Sequence, residues 1–383
     1  MAFEHYIRSG QKRLRCGYTT GTCAALAAQG AAVLLLRGTA PAELTLRAPK
    51  GLVVSVPPAR CEWDGDAALC AVEKDAGDDS DVTDGMEVVA RLTRSEIPGV
   101  CIEGGVGVGR VTKPGLDQPV GAAAINHVPR EMIAGQVRAV CAAAGYTGGV
   151  AVEISIPGGE AAAQHTFNPQ LGIAGGLSIL GTSGIVEPMS EQAIVDTIAL
   201  EQRQAAAGGA MRLILTPGNY GMDFLRQSGL LACGAPVVKC SNFIGDALDI
   251  AATLPFAQVL LVGHIGKLCK LAGGVMNTHS RYADCRTELI CAHAAAAGAD
   301  TALCKALLDA ATTDACIALL DGQNLRAPVL AGLLGAIQRH LEHRAAGAYH
   351  IGAVLFSNQY GLLGQTEPAA ALLNEWRQTK GEG

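Results

Sequence analysis

The sequence predicts a mixed α/β protein of two domains. An N-terminal α+β layer domain covers residues 1–168, and a C-terminal domain built on a parallel sheet covers 169–383, with the chain free to cross between them near its ends. Three observations carry this. At 383 residues the chain is longer than one ordinary core can organise. In the first part, strand-like and helical stretches mix without regular order. In the second, apolar runs of strand length alternate with helices, as in a parallel sheet covered on both faces.

The elements follow in order. "GYTTGTCAALAAQGAAVLLL" opens on a polar turn and runs into an Ala-rich helix, with Thr20 or Thr22 as the expected cap. "AELTLRAP" and "LVVSVPPA" alternate as strands do, "DGMEVVARLTR" and "VAVEISIP" continue the pattern, and "REMIAGQVRAVCAAAG" is helical. Then come three strand–turn–helix repeats: "RLILTPGNYG" into "MDFLRQSG", "APVVKCSNFIGDALDIAATL", and "AQVLLVGHIGKLCKLAGG". Helices fill 284–345 before a last strand, "HIGAVLFSNQYG". In an open parallel sheet, ligands bind beyond the carboxyl ends of the strands. "NYG", "SN" and "GHIGK" all fall at such ends, so that edge is the expected site.

Composition narrows the function. With 49% hydrophobic and 17% charged residues, the chain suits a compact enzyme. A net charge of −6 gives no global attraction to nucleic acid or anionic membrane. No apolar run reads as a membrane span, and "MAFEHYIRSGQKRLR" has no signal-peptide character, so a cytoplasmic protein is expected. The thirteen cysteines are odd in number, scattered and without a C-x-x-C, which points to reduced, mostly buried thiols rather than disulfides or structural zinc.

Several motifs fail their obvious readings. "GHIGK" lacks the phosphate-loop pattern, with Leu261 in place of Gly and Leu268 in place of Ser or Thr. "DAGDDSDVTDG" fails as a calcium loop, because Asp84 and Ala90 occupy the Gly and Glu positions. "GGVGVGR" has Arg110 where a dinucleotide fingerprint needs its third glycine. His264 and His279 have no third partner at metal-ligand spacing, so no protein metal site is expected. "NTHSRYAD" supplies Asn277, Thr278, His279 and Arg281, all able to donate to carboxylates, close in sequence to His264 and Lys267.

Taken together, "GYTTGTCAA", "KDAGDDSDVTDG", "GVGRVTKPGL", "TFNPQLGIAGGLSILGTSGIVEPMS", "SNFIGDALD" and "GHIGKLCKLAGGVMNTHSRYADCR" resemble the CbiD family, the cobalt-precorrin-5B C(1)-methyltransferases of anaerobic cobalamin biosynthesis. The resemblance runs from about residue 16 to about residue 300 and departs at Val106, where Glu is expected, and at His127, where Pro is expected. It implies a two-layer α/β N-terminal domain and a Rossmann-like C-terminal one. It also implies methyl transfer from S-adenosylmethionine to ring carbon 1 of cobalt-precorrin-5B, giving cobalt-precorrin-6A. The cobalt arrives within the substrate.

A flat ring with carboxylate arms calls for open Gly-rich backbone, amide donors and a few cations. The expected substrate contacts are Thr19, Thr20, Thr22, Lys113, Asn242, Lys267, Asn277, Thr278 and Arg281. Gly181, Thr182, Ser183 and Gly184 form the expected donor turn, with Asp75, Asp78 or Asp79 facing its ribose or its positive charge. The donor is already activated, so positioning can dominate, with any general base limited to His264 or His279. The partner is thus a small-molecule tetrapyrrole, with a homo-oligomer or transient contact with other cobalamin-pathway enzymes left open. A non-catalytic corrinoid carrier of the same pathway is the rival reading. A nucleotide-dependent phosphotransferase conflicts with the broken phosphate loop.

Overall fold

The computed structural model describes residues 3–9 and 12–381 and resolves the chain into two units, Met1–Ser190 and Glu191–Gly383. Residues 169–190, which the sequence reading assigns to the second domain, pair with strands of the first. Ile173–Ala174 runs antiparallel to Arg110–Val111, and Ile185–Val186 to Gly17–Tyr18. Ladders of two residues are too short to leave a periodic signal in sequence.

The first unit is built on a five-stranded sheet: β1 (Arg60–Asp64), β2 (Ala67–Glu73), β3 (Glu87–Ser95), β4 (Val100–Gly104) and β5 (Gly149–Ser155). Its order is β1-β2-β3-β5-β4, antiparallel except for the β5–β4 pair. Alternate residues of the central strands, Ala68/Cys70/Val72, Val88/Ala90/Leu92 and Val150/Val152/Ile154, enter one core. That core is closed by helices α1 (Thr20–Arg37) and α2 (His127–Ala143). The small side chains of α1 allow it to lie close, and most of its length is buried. This helix is long and apolar enough to cross a membrane by length and composition, but 78% of it is buried inside the unit. Its cap is Thr19 rather than Thr20 or Thr22: the Thr19 side chain accepts from the Thr22 N–H. Thr20 and Thr22 instead lie inside the first turn and bond the 178–184 segment. At α2, Asp117 Oδ2 accepts from the His127 N–H at 2.6 Å and Oδ1 meets its ring at 2.5 Å, so His127 is a helix-start contact.

The second unit carries β6 (Arg212–Thr216), β7 (Val237–Lys239), β8 (Gln258–His264), β9 (His350–Ser357) and β10 (Gly361–Gln365). The order is β7-β6-β8-β9-β10, parallel apart from the edge strand β10. Period-two alternation puts Leu213, Leu215, Val259, Leu261, Ile351, Ala353 and Leu355 into one core. Ile214, Leu260, Val262, Val354 and Phe356 enter another on the opposite face. Helices α3 (Glu191–Ala207), α5 (Ile244–Ala252) and α9 (Arg326–Ala345) supply residues to the first core. Helices α4 (Asn219–Gln227) and α10 (Glu367–Gly381) supply the second. Between β8 and α9, helices α6 (Arg286–Ala296), α7 (Thr301–Leu308) and α8 (Thr313–Asp321) form a satellite core. Burial on both faces explains why the strands read as unbroken apolar runs.

Candidate functional site

Strand order in the second unit reverses between β6 and β8, so the crevice outside their carboxyl ends is the natural ligand position. Three turns lead into it. Thr216–Asn219 follows β6, Cys240–Asn242 follows β7, and His264–Lys267 closes β8. Ser241 holds φ at +52°, an uncommon backbone state for a residue other than glycine. Close approach dictates Gly221 in α4, because a Cβ there would stand 1.7 Å from Thr216 Oγ1. That hydroxyl is fully buried with no partner among the described residues.

His264 ends β8 and caps the short helical turn Ile265–Leu268, its Nδ1 accepting from the Gly266 N–H at 3.0 Å. The neutral ring therefore carries its proton on Nε2, which donates. Burial pushes its pKa below the ordinary histidine value, against the pull of Asp314, so the neutral form is favoured. The ring centroid lies 6.4 Å from that of Tyr220 and 5.6 Å from Phe356. Lys267 is half-buried, and its ammonium donates to the Pro217 carbonyl at 3.2 Å. Burial lowers its pKa, with Lys270 adding to the effect and Cys240 opposing it. A lysine carries three donors, and among the described residues the Pro217 carbonyl takes one.

The rest of the 277–284 segment is largely self-engaged. Lys270, only 3% exposed, donates to the carbonyls of Thr278 at 3.0 Å and Ala283 at 2.7 Å, and so staples the loop. The buried Thr278 donates to Asn242 Oδ1 at 3.2 Å, tying the turn after β7 to this loop. Asn277 Oδ1 accepts from the His279 N–H, and His279 Nδ1 accepts from the Arg281 N–H. Arg281 pairs with Glu191, whose other oxygen accepts from Tyr282 at 2.8 Å.

Apart from Lys113, the expected residues of the first unit fall in two clusters, Thr19–Thr22 with 181–184 and Asp75–Asp79 beside Arg15, and most of them are engaged with their own surroundings. Leu180 O accepts from the Gly21 N–H, and Gly184 O accepts from Thr22 Oγ1 at 2.6 Å. Gly181 sits against Thr19, where a Cβ would lie 2.4 Å from the hydroxyl. Ser183 Oγ donates to the Ile185 carbonyl at 2.9 Å, while Thr182 is exposed. Asp75 forms a two-pronged pair with Arg15 at 2.5 and 2.8 Å, and Asp78 accepts from the Arg15 N–H. Burial raises the Asp75 pKa, but the bonds from Arg15 and the Gly77 N–H outweigh it and hold the carboxyl below its ordinary range. Asp79 is half-exposed, and Lys113 donates to the Gln170 carbonyl at 3.3 Å.

Sequence reasoning placed Tyr220 in the strand-end turn "NYG" without a role of its own, and missed Asp223, Phe224, Phe356 and Asn358. They line a cavity of about 430 Å³ between α4 and the β9–β10 connection. Their one sequence signal is nearness to strand ends: Tyr220, Asp223 and Phe224 lie in the helix that follows β6, and Phe356 and Asn358 flank the end of β9. Among the described residues, no group of three or more His, Cys, Asp or Glu side chains is arranged to hold a metal ion.

Two family models match the chain: CbiD over residues 7–188, and CbiD, C-terminal domain, over 277–367. A cobalt-precorrin-5B C(1)-methyltransferase of Ruminiclostridium cellulolyticum is 46% identical over 356 residues, covering 93% of this chain and 92% of that one. The protein of the same name from Edwardsiella ictaluri is 40% identical over 379 residues, covering 98% and 99%. The crystal structure of the cobalamin biosynthesis protein (cbiD) from Archaeoglobus fulgidus is 28% identical, with a TM-score of 0.39 over 72% of this chain and 86% of that one.

Proposed function

Since the chain belongs to the CbiD family, we infer that it is an enzyme transferring a methyl group to ring carbon 1 of cobalt-precorrin-5B in cobalamin biosynthesis. The observation that carries this is identity of 46% over 93% of the chain to a protein named for that reaction. We further propose S-adenosylmethionine as the donor, a Rossmann-like character for the parallel-sheet unit, and a cytoplasmic location. The cobalt belongs to the substrate.

The strand-end crevice has chemistry suited to both reactants. The donor supplies a methyl group already activated on a positively charged sulfur, so the protein's task is chiefly to align and desolvate. Lys267 would hold a carboxylate arm of the ring through its free donors, beside the turns that follow β6 and β8. His264, with its proton on Nε2, would act as a donor to the substrate; service as a base would first require it to give up the Gly266 N–H. The 277–281 segment would add amide and hydroxyl donors on a loop held by Lys270.

The test is transfer itself. Protein incubated with methyl-labelled S-adenosylmethionine and cobalt-precorrin-5B should yield a corrinoid with one labelled methyl at ring carbon 1, located by mass spectrometry. Intact substrate without label, from folded protein, would refute the reading and favour a carrier.

A further inference from the structure

We propose that the cavity between α4 and the β9–β10 connection is the docking site for the adenosine and sulfonium of the methyl donor, with Tyr220 and Asp223 as its recognising side chains. This rests on the methyl-transfer reading above. At about 430 Å³ the cavity lies in the size range of small-ligand sites. One wall is the half-buried Phe224 ring, backed by the buried Phe356 ring with centroids 4.3 Å apart and planes 5° from parallel. The Tyr220 ring, 65% exposed, stands at the rim. Flat apolar walls with an exposed aromatic rim suit a purine base, and ring faces also attract cations.

Charge separates the two reactants. The lining contains the Asp223 carboxylate and no lysine, arginine or histidine among the described residues. Arg226, one turn along α4, engages only Oδ1 of Asp223 at 3.1 Å. Behind the lining, Ser357 donates to Asp314 at 2.8 Å, placing a second carboxylate nearby. Such a cavity repels the acidic arms of a tetrapyrrole and favours a sulfonium. Cationic Lys267 lies elsewhere, at the ends of β6 and β8. The His264 ring adjoins the cavity, with Tyr220 and Phe356 as ring neighbours, and Lys267 follows three residues on in the same turn. A methyl at the cavity mouth and a ring anchored by Lys267 would thus meet beside His264 with nothing between them, the direct contact an in-line displacement requires.

Calorimetric titration tests this with S-adenosylmethionine and its neutral thioether product, S-adenosylhomocysteine. Wild-type protein should bind both. Tyr220→Ala, and Ser228→Phe, which fills the cavity from an exposed lining position, should each weaken both ligands by about tenfold or more. Asp223→Asn should cost the charged ligand about fivefold more than the neutral one. Ser183→Ala, in the 181–184 turn, should bind as wild type. Wild-type affinity in both Tyr220→Ala and Ser228→Phe overturns the cavity while leaving methyl transfer standing. Loss confined to Ser183→Ala moves the donor to the 181–184 turn. Equal effects of Asp223→Asn on both ligands remove Asp223 from recognition. No binding by wild type refutes the donor assignment and the cavity together. Melting curves followed by the buried Trp376 in a Trp63→Phe background verify that each second-unit variant is folded.

Discussion

Replacing Lys270 with methionine isolates what the buried ammonium contributes. The side chain is 3% exposed and bonds the Thr278 and Ala283 carbonyls, with Asp284 3.8 Å away. Methionine keeps the length of the stem but removes the charge and both donors. Hydrogen bonds from a charged group contribute about 1.5–3 kcal/mol each, so two give about 3–6 kcal/mol. Those values already include most of the ammonium's desolvation, and relief of a remaining ~1–2 kcal/mol in the methionine variant leaves a net loss of about 2–4 kcal/mol for Lys270→Met. For a unit of this size, that is a fall in Tm of about 4–16 °C. The sequence has two tryptophans, Trp63 in the first unit and Trp376 in the second. In a Trp63→Phe background, fluorescence during urea unfolding therefore follows the second unit alone. A loss below about 1 kcal/mol would show that desolvation cancels the bonds and that the loop is held by something else.

Other outcomes follow from the same geometry. Gly221→Ala should cost about 1–3 kcal/mol through the clash with Thr216 Oγ1, and adding Thr216→Ala should restore part of it in a double-mutant cycle read by Trp376 fluorescence. Asp75 has a folded-state pKa below its unfolded value, so its contribution is present above about pH 3.9 and lost as pH falls through the folded value. Asp75→Asn should flatten the acid limb of first-unit stability, measured by hydrogen exchange in α1; an unchanged limb would remove Asp75 from it. Asp81→Asn leaves the buried Lys74 ammonium without its carboxylate at 2.6 Å and should destabilise the first unit by about 2–3 kcal/mol in the same measurement. Lys267→Ala should weaken cobalt-precorrin-5B binding by about tenfold and donor binding little, while Arg281→Ala, already paired with Glu191, should have the smaller effect. Equal losses for both ligands in titration would remove that assignment.

The strand–turn–helix rhythm of the second unit was legible because Leu213–Leu215 and Val259–Val262 are buried on both faces and so form unbroken apolar runs. The same rhythm located the polar turns that carry Asn242, His264 and Lys267. Lys270 was not legible as a buried staple, since lysine in a glycine-rich turn reads as a solvated charge. The aromatic cavity was hidden for a different reason: Tyr220 and Phe356 lie far apart in sequence and meet only when β6 and β9 flank β8 in the sheet. The cap at Thr19 was missed in favour of Thr20 or Thr22 because Thr19, Thr20, Gly21 and Thr22 are all plausible starts by propensity, and the return of the 178–184 segment decides among them.

That returning segment bears on synthesis. Gly17–Tyr18 completes its ladder with Ile185–Val186, and the first-turn groups of α1 bond carbonyls of residues 178–184. While the ribosome is still extending the chain toward residue 186, α1 has neither its strand partner nor the acceptors for its buried hydroxyls. At synthesis rates of about 5–20 residues per second this lasts on the order of 10–40 s. A fragment ending at residue 168 is expected to be captured by chaperones or proteases, and one ending at residue 190 to accumulate as a folded unit. The first unit's nascent chain must therefore be shielded almost until its last residue is made.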